Sequence, residues 1–301
     1  MFSKDFQTFG WQGILLSIPK DWNLSYFTGN FEKGYLRIND LVSVRCEIKW
    51  EKTLHSSSLS LILNNYYKKM KKIADRKKLN FEIKGSLENV KIKNKNIEYL
   101  TFSWESREIC WGVVWYCYIC KRIFIIQLLS TGKNTPYREI LSSLDCEADK
   151  YYNIWSVYNL YLKVPKRYFL KESNFRAGLI HLKFSDKKQN ISIFWYGLAN
   201  VVLEEKSLSS WFVENFLDIF TIYKTEEKEI FINGHKGIEI EGVRDSYLRD
   251  IFSKFLLNKV DEKFLKIFLW VCENSNRICI LKTSGREIKE IEEIREGWKC
   301  H

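Results

Sequence analysis

Proline is nearly absent from this chain of 301 residues: there are three, beside 14 glycines. So few of either exclude a collagen-like repeat, a long flexible linker and a barrel dense in turns. Long apolar runs are missing too. The longest, residues 119–129, is broken by Lys121 and Arg122 and falls short of the ~20 residues that a membrane-crossing helix requires. Near the start, Ile14 to Ile18 is too short for the core of a secretion signal, and no small-residue cleavage site follows it. The chain is therefore expected to be soluble and cytoplasmic. Eight cysteines are too sparse for a small disulfide scaffold, so in a reducing compartment they are expected as thiols, core residues or metal ligands. What is abundant is apolar and aromatic mass: 46% hydrophobic residues, with 11 Trp, 16 Tyr and 20 Phe, rule out a disordered chain. At about 150 residues per domain, the length predicts two domains.

Catalytic signatures are also lacking. There is no G-x-G-x-x-G, H-E-x-x-H, EF-hand loop or G-x-S-x-G. Ser130-Thr131-Gly132-Lys133-Asn134 superficially matches the end of a phosphate-binding loop, but Gln127 stands where its first glycine belongs and no hydroxyl follows the lysine, so turn chemistry accounts for it. The four histidines are His55, His181, His235 and His301. His181 alternates within an apolar strand and His235 lies in an Asn-Gly-His turn; a catalytic His235 would need a nearby Ser, Cys or carboxylate that the sequence does not place, and a Cys–His nucleophile pair stays open without a geometry to identify it. No catalytic residue and no organic cofactor is assigned.

Self-similarity is the strongest signal. An apolar strand ends in Pro19-Lys20, and another ends in Pro165-Lys166, a shift of 146. Gly34-Tyr-Leu-Arg-Ile38 matches Gly178-Leu-Ile-His-Leu182, and Trp50 matches Trp195. A helix with Leu59, Ile62, Leu63, Tyr66, Met70 and Ile73 on one face follows Ser58; Leu208, Trp211, Phe212, Asn215 or Phe216, and Ile219 follow Ser207. Trp115-x-Cys117-x4-Arg122-Ile-x-Ile aligns without gaps to Trp270-x-Cys272-x4-Arg277-Ile-x-Ile, and Cys146 matches Cys300. The reading is a tandem duplication with boundaries 1–150 and 151–301. Each copy is expected as strand, strand, strand, helix, strand, strand, strand, short helix. That makes an α+β fold: an antiparallel sheet carrying a middle amphipathic helix and a short C-terminal helix.

With Ile18-Pro19 and Val164-Pro165 closing the first strands, the amphipathic middle helix, and Ile232-Asn233-Gly234-His235 opening a later hairpin, each half resembles a PsbP-like (Mog-type) domain. The resemblance covers most of each copy, though copy one has Asn94-Lys95-Asn96 in place of the Asn-Gly-His element. It implies a binding or assembly factor without chemistry of its own.

Cys117, Cys146, Cys272 and Cys300 recur at equivalent places, and His301 follows the last of them. If strand end and helix end meet, four thiolates, or three with an imidazole, suit a closed zinc site. Against this, only Cys117-x2-Cys120 has ligand spacing, and Ser275 replaces its second cysteine in the other copy; buried unliganded thiols explain the recurrence as well. Arg122 and Arg277 also recur. They are expected in structural roles, and a buried one would need a carboxylate.

The copies differ in charge. Residues 59–95 hold eleven basic and three acidic side chains, whereas 208–235 hold two and five. Lys68, Lys69, Lys71, Lys72, Arg76, Lys77 and Lys78, with Lys91, Lys93 and Lys95 alternating outward from a strand, are expected to form one basic surface. It suits an acidic protein partner, or alternatively nucleic acid, or else serves only as a solvated face. The opposite sign of copy two permits head-to-tail association of like chains. A non-enzymatic binding or assembly protein is the leading expectation, with nucleic-acid binding and a zinc or thiol-dependent protein as alternatives.

Overall fold

The computed structural model describes residues 6–53, 58–130, 135–146, 149–244 and 262–300. The chain divides into two compact units, Met1–Asn159 and Leu160–His301. Both are mixed α+β, built from antiparallel strands with few helices. No helix among the described residues is long and apolar enough to cross a membrane.

In the first unit, β1 (Phe6–Trp11) and β2 (Ile14–Pro19) form a hairpin across Gln12 and Gly13, both at positive φ. The two-residue β10 (Asp145–Cys146) flanks β2, with Cys146 opposite Ile14, and β11 (Tyr152–Val157) flanks β1, with Gly10 opposite Ser156. The larger sheet comprises β3 (Asn23–Gly29), β4 (Lys33–Asn39), β5 (Val44–Lys52), β6 (Glu82–Gly85), β7 (Ile97–Glu105), β8 (Ile109–Cys117) and β9 (Arg122–Ser130). Its spatial order is β3-β4-β5-β9-β8-β7-β6. Helix α1 (Leu59–Arg76) carries the chain from β5 to the far edge, so that β9 returns to pair with β5 at the centre. The Ser58 hydroxyl caps α1 by accepting from Leu61 N. The apolar stripe of α1 lies on the sheet as its spacing predicts: Leu63, Tyr66, Tyr67 and Met70 meet Phe102 and Trp104, while Leu59 and Ile62 meet Val114 and Tyr116. Alternate residues of β8 face the other way, where Trp111 stacks at 4.8 Å on Tyr137 of α2 (Tyr137–Ser142).

The second unit has β12 (Leu160–Pro165) and a seven-stranded sheet in the order β13 (Phe169–Arg176), β14 (Leu179–Ser185), β15 (Gln189–Gly197), β19 (Arg277–Gly285), β18 (Phe264–Cys272), β17 (His235–Arg244), β16 (Tyr223–Ile232). Among its described residues the helices are α3 (Ala199–Val202), α4 (Leu208–Asn215), α5 (Leu217–Ile222) and α6 (Ile291–Glu296). The central pairing repeats: Trp50 lies opposite Phe124 in the first unit and Trp195 opposite Cys279 in the second. All four paired tryptophans, Trp50, Trp115, Trp195 and Trp270, are core residues.

Several expectations change. Five strands, not three, precede α1, because β1 and β3 are short hairpin partners whose mixed patterns carry little period-2 signal. The expected middle helix of the second copy is broken at Phe216 (φ −133°), whose ring packs on Phe212 and Phe194. Cys146 and Cys300 do not end helices; α2 and α6 stop earlier, and Cys146 sits on β10. Residues 91–95 alternate exposed and covered, but belong to no strand. Their amides are satisfied by side chains instead, Lys91 N donating to Ser142 Oγ and Ile92 N to Tyr99 Oη.

Gly34 and Gly178, matched by sequence, do different work. Gly34 lies opposite Trp50, where a Cβ would come within 2.2 Å of the indole. Gly178 is a turn residue at φ +78° with open space around it, and Ile180 lies opposite Trp195. Register thus equates Gly34 with Ile180. Gly34→Ala is expected to cost about 3 kcal/mol by overpacking. Gly178→Ala should cost about 1 kcal/mol from its left-handed backbone alone. Urea unfolding of the two variants measures the order.

Candidate functional site

At one end of the first unit's sheet, β8 finishes at Cys117, directly opposite Arg122 on β9. Cys120 lies in the tight turn between them, next to Lys121 at φ +54°. Cys146 arrives from β10, whose approach is fixed by its pairing to β2 and by Asn94, which donates to Asp145 Oδ1 (2.5 Å) and to the Cys146 carbonyl (3.4 Å). The three Sγ atoms lie within 4.8 Å of one another. Cys117 and Cys146 are buried and Cys120 is partly exposed.

Arg122 is wholly buried beside them. Its Nη1 donates to the carbonyls of Gln12 (2.8 Å) and Phe31 (2.9 Å), and its Nε to Cys120 Sγ (3.2 Å). The guanidinium also lies over the rings of Phe31 (3.9 Å) and Phe124 (4.8 Å). The partners of this buried arginine thus include a sulfur and two peptide oxygens. Hydrogen bonds from Cys117 and Cys146, followed by the positive charge of Arg122, hold the Cys120 thiol far below its ordinary pKa. Its neighbours move the other way: Cys117 is raised mainly by its hydrogen bond to Cys120, and Cys146 by those to Cys117 and Cys120. The arrangement is three mutually hydrogen-bonded cysteine sulfurs beside a buried cation.

The second unit builds a related but different group. Cys272 ends β18, and Cys300 lies just beyond the bridge between Lys299 and Tyr161. His235 opens β17 after the Asn233-Gly234 turn, both of whose residues have positive φ. Asn233 Nδ2 clasps the carbonyls of Trp298 (2.9 Å) and Arg295 (3.2 Å), which brings the C-terminal segment to the hairpin. Cys300 Sγ is 3.4 Å from His235 Nε2, and the two sulfurs and an imidazole nitrogen lie within 4.8 Å of one another. Burial, then the hydrogen bond with Cys272, pushes the Cys300 thiol up to about 11. Arg277, the counterpart of Arg122, is partly exposed and lies over the Trp195 ring at 4.4 Å.

Of the residues singled out by sequence, Cys117 and Cys146 therefore meet in one group and Cys272 and Cys300 in the other. His301 and His55 lie outside the described residues, as does the 131–134 part of the loop-like Ser130–Asn134 segment. Two members were missed. Cys120 carried a signal, its C-x2-C spacing; His235 carried none, since only folding brings Cys300 to it. The remaining cysteines, Cys46, Cys110 and Cys279, are buried strand residues with thiols raised well above normal by desolvation.

The ten basic residues are all exposed, but they do not make one surface. Seven follow α1 and the turn after it. Lys91, Lys93 and Lys95 belong to a segment tied to Thr101 and Tyr99, which alternate along β7 with the Leu100 and Phe102 that meet α1; that segment therefore lies on the opposite face of the sheet.

Two measurements follow. Arg122→Met strips the Cys120 sulfur and two carbonyls of a wholly buried charged donor and is expected to cost about 3–5 kcal/mol in urea unfolding. Arg277→Met, losing a partly exposed contact with one ring, should cost only about 1 kcal/mol. His181 lies flat on Phe194 at 4.2 Å, and burial holds its pKa below 6.5. The unfolded chain therefore takes up this proton first, and stability is lost as pH falls from 6.5 through the folded value. In His181→Phe the thermal midpoint should fall less over that acid range than in the wild type.

No protein-family model matches the chain, and no curated protein does. Two structures of the T6SS immunity protein TplEi from Pseudomonas aeruginosa are similar to it along most of its length. The apo form is 9% identical with a TM-score of 0.31, covering 94% of this chain and 88% of that one. The form complexed with "L" peptide is 10% identical with a TM-score of 0.32, covering 98% and 96%. Neither likeness carries an argument about activity or partner, and neither of these two structures is of a PsbP-like protein.

Proposed function

We propose that this chain is a non-enzymatic binding protein whose first unit docks an acidic protein segment along α1. The observation that carries the reading is a set of seven exposed cations, Lys68, Lys69, Lys71, Lys72, Arg76, Lys77 and Lys78, none of which is in an ion pair among the described residues. Elsewhere in the protein exposed lysines do find carboxylates: Lys33 meets Glu51, Lys52 meets Glu32, Lys183 meets Glu172 and Lys206 meets Glu214. An unneutralised stripe of this kind raises the local concentration of acidic partners.

Beside the stripe, at the end of α1, opens a groove of about 400 Å³ floored by Met70, Ile73, Leu79, Phe81 and Trp104 and edged by Lys77, Arg107 and Glu108. An apolar floor with two cations and one carboxylate at its edge, next to the cationic stripe, favours a polypeptide carrying both carboxylates and an apolar anchor. A phosphodiester backbone has no apolar anchor to place there, and of the seven cations in the stripe only Arg76 is an arginine, whereas single strands are held by stacked aromatics and arginines.

We further infer that the two units are copies of one ancestral module. Support comes from the identical strand order of the two large sheets and from the central register, in which the Trp50–Phe124 pair maps onto the Trp195–Cys279 pair with the same shifts that align the sequences.

Fluorescence anisotropy with a synthetic glutamate- and leucine-rich peptide, beside RNA and DNA oligomers of equal net charge, tests the docking reading. The peptide should bind, and reversing Lys68, Lys71, Lys72 and Arg76 to Glu should weaken it about tenfold or more. Oligomers that bind more tightly than the peptide, with a steep log–log salt slope, would replace this reading with a nucleic-acid one.

A further inference from the structure

Beyond the docking reading and independent of it, we propose that each unit holds one zinc ion: the first on Cys117, Cys120 and Cys146, the second on Cys272, Cys300 and His235 Nε2.

Geometry is the first argument. In a tetrahedral zinc site, bonds of 2.3 Å to sulfur and 2.0–2.1 Å to nitrogen set neighbouring sulfur and nitrogen atoms about 3.6 Å apart and neighbouring sulfurs about 3.8 Å apart. Cys300 Sγ and His235 Nε2 already stand at 3.4 Å, and each trio lies within 4.8 Å, so closure on an ion requires side-chain shifts below about an ångström.

Charge is the second. Three thiolates around a dication leave one net negative charge, costly to bury unless it is matched. That is where the wholly buried Arg122 lies, its Nε on Cys120 Sγ. Two thiolates and a neutral imidazole around a dication are already neutral. There the equivalent arginine, Arg277, is turned onto the Trp195 ring instead. Each ligand set thus comes with the arginine placement that makes it electrically neutral, which chance packing of buried thiols does not require.

Substitution between the units is the third. Cys120 corresponds to Ser275 in sequence, and the strand register, with Tyr99 opposite Trp115 and Gly237 opposite Trp270, puts Ile97 where the second unit has His235. Each unit therefore has two common cysteines and keeps one, but not the other, of two possible third ligands. At the place that Cys120 occupies in the first unit, Ser275 Oγ is buried with no hydrogen-bond partner among the described residues, an oxygen available to a metal-bound water. Cys120 and His235 are also the least buried members of their groups, so the fourth position of each ion opens toward solvent. A ligand set with three protein groups and a water is soft enough in sulfur to prefer zinc over magnesium or calcium.

The test is metal content per chain by inductively coupled plasma mass spectrometry, on full-length protein expressed with added zinc and purified without chelator. Wild type should carry about two equivalents, and Cys120→Ser and His235→Gln about one each. Cobalt substitution should give a stronger thiolate-to-metal absorption in His235→Gln, which keeps the three-sulfur site, than in Cys120→Ser. Both substitutions fall on partly exposed side chains, and circular dichroism checks that they fold. Should either fail to fold, the wild-type stoichiometry and a fall in its melting temperature with a strong chelator decide the matter. Wild type binding less than about a tenth of an equivalent in excess zinc overturns the proposal, as does a reducible disulfide among Cys117, Cys120 and Cys146 in the freshly isolated protein. Zinc content unchanged in both variants overturns the ligand assignment.

Discussion

Everything in each unit hangs on one long-range strand pairing, β5 with β9 in the first and β15 with β19 in the second. Closing such a loop costs chain entropy, and the pairing returns it through a row of backbone hydrogen bonds flanked by fully buried tryptophans. With β9 held at the centre, β8 is enclosed on both faces, one by α1 and the other by the side on which α2 lies. Its last residue is then delivered to a fixed point at the end of the sheet. Cys117 and Cys272 occupy that point, and the hairpin turn that follows carries Cys120 or Ser275.

The two sheet ends show how the same frame supports different electrostatics. In the first unit a buried guanidinium satisfies carbonyls from the β1–β2 turn and the β3–β4 turn while facing a sulfur. It therefore bolts three chain segments together and also tunes a thiol. In the second unit the arginine lies on an indole, and an imidazole arrives from the β16–β17 hairpin. The two groups share the strand-end cysteine and differ in the segment that supplies the third member and in where the arginine lies.

A similar division separates core from surface. Along α1, Leu59, Ile62, Leu63, Tyr66 and Met70 are committed to the sheet, and the lysines between them are left to solvent. The helix in the second unit spends its aromatic residues on Phe194 and Tyr196 and breaks in doing so. Among the described residues, an intact basic helix in one unit and a broken one in the other present different surfaces outward.

Sequence by itself determined the elements whose signal is local: the strand–turn–strand of Trp115 to Ile125, the face of α1, its Ser58 cap, and the recurrence of Cys117, Cys146, Cys272 and Cys300. Periodicity and capping act over a few residues, so the residues themselves display them. Tertiary structure alone decided that Cys120 and His235 complete the two groups, that Arg122 is buried while Arg277 is not, that Gly34 rather than Gly178 faces a tryptophan, and that Lys91, Lys93 and Lys95 lie across the sheet from α1. Each of these depends on which distant segments share a register or a face. Register is set by the summed packing of whole strands, and no short window of sequence contains it.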